Sequence, residues 1–106
     1  VSNTQDESPA IPEFDSVWLR KSIILLCQRL NWRCEIVTQH QFLFVTSITP
    51  TSHEYHIRVG VGAIRAYSRI VHKNDVVMAN SPTNTVMAVF SLVLRYEIEA
   101  ITRSLK

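Results

Sequence analysis

The sequence predicts an α+β fold of two layers. An antiparallel β-meander of four to five strands carries an N-terminal and a C-terminal helix on one face, in the order α-β-β-β-β-α. Three observations carry that expectation. Apolar residues recur at helical spacing near each end, at Leu19, Ile23, Leu26, Cys27 and Leu30 and again from Val86 onward. Between them, short runs alternate apolar with polar residues and are separated by polar or glycine-bearing breaks. The 106 residues suffice for one hydrophobic core and not for two.

Val1 to Glu13 (VSNTQDESPAIPE) is polar, proline-bearing and without hydrophobic period, which predicts a flexible tail or linker. Residues 14–106 are then the domain. The chain opens on Val1 and not on methionine, which suggests an excised domain or a processed product. Its first fourteen residues have neither the basic start nor the apolar core of a signal peptide.

Asp15 or Ser16 offers a side-chain oxygen to cap the first helix, and Asn31 tolerates the left-handed turn that ends one. Trp18 and Leu25 fall outside the main stripe, about 120° round the helix axis at 100° per residue. They form either a further packing surface or an exposed contact, and Trp18 is a candidate anchor for a partner. A first strand runs from Trp32 to His40, with Cys34 and Ile36 alternating against Arg33 and Glu35. Phe42 to Ile48 is the next, apolar on both faces at its start and so expected inside the sheet. Glu54 to Val59 puts Tyr55, Ile57 and Val59 on one face and His56 and Arg58 on the other. After the turn at Gly60-Val61-Gly62, Ile64 to Val71 sets Ile64, Ala66, Ser68 and Ile70 against Arg65, Tyr67 and Arg69. A turn at His72 to Asp75 and a short strand from Val76 to Ala79 complete the sheet.

Asn80 or Ser81 caps the closing helix, with Pro82 at its first position. Val86 to Leu94 (VMAVFSLVL) is apolar on every side except for Ser91, so cover on more than one face is expected. Val86, Val89, Phe90, Val93 and Leu94 are expected deepest, with Ile98, Ile101 and Leu105 continuing the stripe. Glu97 and Glu99 read as solvated. The apolar run is too short to cross a bilayer, which takes ~20 residues.

A net charge of +2 is too mild to imply nucleic acid by itself. Cys27 and Cys34 fit neither a disulfide framework nor a zinc pattern, and Cys27 on a helix stripe reads as a buried, inert thiol. His53-Glu54-Tyr55-His56 lacks the helical spacing of a metal-binding HExxH, and Gly60-x-Gly62 lacks the rest of a dinucleotide loop. No catalytic residue, metal or cofactor is expected. The leading constellation is His56, Arg58, Arg65, Tyr67 and Arg69 on one sheet face, joined by Trp18 as a partner contact. Arginine and tyrosine together grip anionic groups through forked hydrogen bonds and stacking. Arg20, Lys21 and Arg29 are candidates to extend the positive field.

Leu26–Gln28, Trp32 and His53 through Val61 give the chain a layout that resembles a double-stranded-RNA-binding domain. That resemblance implies duplex RNA as ligand. Its second helix would open on a lysine-rich phosphate clamp, where this chain has Ser81-Pro82-Thr83-Asn84-Thr85. The layout is also similar to kinase-associated C-terminal domains, which implies docking on a kinase or an anionic lipid. The function expected is a small non-catalytic module for protein–protein interaction through the basic, aromatic sheet face, in an intracellular (cytoplasmic or nuclear) setting. RNA binding through the same face is one alternative. Homodimerisation through the C-terminal helix is another.

Overall fold

The computed structural model describes residues 15–105, so the expected tail from Val1 to Glu13 lies outside the described residues. Helix α1 spans Ser16–Leu30, and strands β1 to β5 span Arg33–Gln39, Phe42–Ile48, Glu54–Val59, Ala63–Ser68 and Lys73–Met78. Helix α2, Pro82–Ser104, closes the fold. The five strands form one antiparallel sheet in the order β1-β2-β3-β4-β5, an α+β meander.

The helix ends are set locally, as their sequence implies. Asp15 accepts the Trp18 amide at 2.9 Å, and Asn31 turns left-handed at φ 59° while the Asn31 and Trp32 amides satisfy the carbonyls of Gln28 and Cys27. Ser81 accepts the Asn84 amide at 3.1 Å, and Pro82 begins α2 where a missing amide leaves no bond unmade.

Both helices pack on the same side of the sheet, α1 over β1 and β2, α2 over β3 and β4. The core lies between the layers: Leu19, Ile23 and Cys27 from α1; Leu43, Val45, Tyr55, Ile57, Val59 and Ile64 from the strands; Val86, Val89, Leu92, Val93, Tyr96 and Ala100 from α2. Burying each large apolar side chain stabilises by ~2 kcal/mol, so α2 supplies a major share. The Tyr55 and Tyr96 rings stack at its centre, 5.8 Å between centroids, and Trp32 stacks on Phe90 at 5.5 Å.

Four expectations need correction. Strand β4 stops at Ser68, not Val71, because the Ser68 hydroxyl accepts the Val71 amide at 3.2 Å and bends the chain; β5 therefore starts at Lys73. The start of α2 is covered on one face only: Met87 is 63% and Leu94 46% exposed, and Ile98, Ile101 and Leu105 are exposed as well. The buried stripe continues instead through Tyr96, Glu97 and Ala100. Glu97, expected in solvent, is buried. On α1, Leu26 and Leu30 are exposed beside the buried Leu19, Ile23 and Cys27.

Candidate binding face

With both helices on one side, no described residues form a second layer on the other face of the sheet. The register lines its side chains into rows across the strands. One row runs Val37, Phe44, Arg58, Arg65, Val76; the next runs Glu35, Thr46, His56, Tyr67, Asn74. All ten are exposed or half-buried. The strict alternation of β3 and β4 produces this, since Tyr55, Ile57, Ile64 and Ala66 are drawn to the core and their neighbours must point outward.

Four of the six residues singled out from the sequence thus meet. His56 pairs across from Tyr67 and Arg58 from Arg65. They line a shallow depression of about 280 Å³ together with Phe44 and Asn74. Arg69 falls outside the strand, in the turn before β5, where no register holds it on this face. Trp18 is 41% exposed on α1, in the helix layer, and so belongs to a different surface. The same placement separates Arg20, Lys21 and Arg29 from the patch; Arg20 instead donates to the Ile36 carbonyl at 2.9 Å.

Apolar side chains are exposed at both edges of the face, beside the polar Glu35 and Asn74. Val37 is 57%, Val76 53% and Met78 75% exposed. Arg58 rests on the Phe42 ring, its guanidinium carbon 4.6 Å from the centroid, a cation–π contact that limits the arginine's freedom. The Phe42 ring in turn lies where a Gly60 side chain would be: a Cβ there would meet the ring at 2.7 Å. His56 contacts Glu54 at 2.8 Å. Among the described residues, neither Arg58 nor Arg65 has a side-chain hydrogen bond or an ion pair.

A second polar cluster was missed by sequence reasoning. Glu97 on α2 accepts hydrogen bonds from the Thr51 hydroxyl, from His53 Nδ1 at 2.8 Å and from the Tyr55 hydroxyl at 2.6 Å. Burial alone would push its carboxyl up, but the bonds from Thr51, Tyr55 and His53 together outweigh it and hold the group down at about 2. The same partnership, after burial, pushes the Tyr55 hydroxyl well above its ordinary range. With its oxygens occupied by three donors, the carboxylate acts as a clasp between α2 and the β2–β3 loop. The signal lay in the sequence: Glu97 sits four residues after Val93 and three before Ala100, in phase with the buried stripe. Elsewhere, a hydrogen bond with Cys34 and then burial raise the Cys27 thiol, which keeps it neutral.

Among the described residues, no group of three or more His, Cys, Asp or Glu side chains is placed to hold a metal, and no helix is long and apolar enough to cross a membrane. No protein-family model, curated protein or solved structure matches the chain. The likeness to RNA-binding and kinase-associated domains is therefore one of element order alone.

Proposed function

We propose that this domain is a non-catalytic binding module that engages a protein partner through its uncovered sheet face. The observation that carries the reading is the composition of that face. Two arginines stand at its centre with no acidic partner among the described residues, and exposed Val37, Phe44, Val76 and Met78 lie around them. The exposed apolar side chains favour a protein over a polynucleotide, whose backbone calls for more positive charge than Arg33, Arg58 and Arg65 set against Glu35 and Glu54. The chemistry it fits is a segment bearing an anionic group flanked by apolar side chains. A reducing intracellular setting, cytoplasmic or nuclear, suits the free thiols of Cys27 and Cys34.

A displayed peptide library tests the reading. The wild-type domain should select peptides that pair acidic with apolar residues. Arg58→Glu combined with Arg65→Glu should weaken them by at least about tenfold, while Trp18→Ala leaves them unchanged. Selected peptides indifferent to the double reversal would overturn the site. Tight, salt-sensitive binding of single-stranded RNA in place of peptides would put nucleic acid first.

A second reading has its own observation. On α2 and its C-cap, Met87, Leu94, Ile98, Ile101 and Leu105 are all at least 40% exposed. They fall within an arc of about 60° at 100° per residue. With Ser91 they follow the alternating three-and-four spacing of a coiled-coil seam. A helix of the same length and period is what such a seam accepts, which makes a second copy of this chain its occupant.

A further inference from the structure

The two central arginines pose an electrostatic problem. Arg58 and Arg65 are direct cross-strand partners, so their side chains leave the sheet side by side on the same face. Like charges placed directly opposite each other are destabilising in an antiparallel pair. The usual remedy is an acidic neighbour, and the nearby acids are engaged elsewhere. Glu54 is 2.8 Å from His56, and Asp75 points to the helix side, where it accepts from the Tyr96 hydroxyl at 2.5 Å. The fold thus presents two cross-strand arginines, Arg58 lying over the Phe42 ring, and among the described residues no protein anion joins them.

We infer that Arg58 and Arg65 form the seat for a doubly charged phosphomonoester carried by the partner, so that the domain reads a phosphorylated peptide. A single carboxylate would leave one positive charge uncompensated. A phosphomonoester carries ≈ −1.5 to −2 charge at neutral pH and three acceptor oxygens, enough to take forked bonds from both guanidinium groups. The flanking rings refine the expectation. Phe44 stands across from Arg58, and Tyr67 two residues along from Arg65, each 38% exposed. They offer flat surfaces beside the anion seat, suited to an aryl ester. The depression of about 280 Å³ is larger than a phosphate group alone requires.

This inference rests on the sheet face being the binding surface, and the experiment separates the two. Phenyl phosphate and inorganic phosphate are titrated into the ¹⁵N-labelled domain, with benzoate as the singly charged control. Phenyl phosphate should shift the Arg58, Arg65 and Tyr67 resonances, with inorganic phosphate weaker and benzoate weaker still by about tenfold. Arg65→Gln should abolish the response and yet raise the melting temperature of the ligand-free domain, because it relieves the repulsion. That opposite movement of stability and binding is something a merely structural arginine would not give. An equal response to benzoate, no localised shift with either phosphate, or a lowered melting temperature in Arg65→Gln would overturn the inference. Should library peptides still bind through the face without regard to phosphorylation, the binding reading stands and only the phosphate seat falls.

Discussion

Glu97 is the side chain on which burial and charge oppose each other most strongly. Its carboxyl is held at about 2 in the folded protein against an ordinary 4.5, so the folded state favours the ionised form more than the unfolded chain does. The resulting stability is fully present above pH 4.5 and is lost as pH falls from there toward 2. Glu97→Gln should lower stability at neutral pH by about 1.5–3 kcal/mol, the range for hydrogen bonds to a charged group. It should also flatten the acid limb of a urea-unfolding series recorded across that window. An unchanged acid limb would show that the clasp contributes nothing. Periodicity already put Glu97 in line with Val93 and Ala100. What the sequence concealed was the set of donors, since Thr51, His53 and Tyr55 lie more than forty residues away and meet it only once α2 is docked.

Strands β2 and β3 could be read to the residue because each is bounded by clear polar, proline or glycine breaks. Strands β4 and β5 could not, because Ser68 ends β4 when its hydroxyl accepts the Val71 amide, which leaves the apolar pattern through Ile70 and Val71 intact. The start of α2 misled for a different reason. A helix apolar all round offers more than one face for burial, and Val89, Leu92 and Val93 won over Met87 and Leu94 only through contact with the sheet. Of the face residues, alternation found His56, Arg58, Arg65 and Tyr67. It missed the Phe42 ring beneath Arg58, a diagonal contact that depends on Gly60 having no side chain. Gly60→Ala should therefore cost little stability, about 1 kcal/mol, because a ring can swing aside. It should displace Phe42 and with it Arg58, weakening peptide or phenyl phosphate binding measurably in the same titrations. Full binding by a folded Gly60→Ala variant would show that Phe42 does not position the arginine.

The meander and its two covering helices followed from an ordering of periods that survives small errors at strand ends. Among the described residues, the cover leaves open the bare sheet face and the outer seam of α2, which lie on opposite sides of the sheet–helix sandwich. If the seam pairs two copies, sedimentation should show a concentration-dependent dimer that Leu94→Glu with Ile98→Glu converts to a folded monomer. A wild-type chain that stays monomeric at every concentration would remove that reading and leave the sheet face untouched. Because the two sides do not overlap, a dimer held by α2 would carry two outward-facing binding sites, and a partner with repeated segments would then gain avidity without a new contact.

The knot of hydroxyls and imidazole around Glu97 also governs how the molecule comes apart. It ties the latter half of α2 to the tip of the β2–β3 connection, so neither can lift from the body alone without stranding an ionised group in a nearly dry place. Those two segments must loosen together. A surface loop that would ordinarily fray by itself is thereby made as durable as the helix it grips.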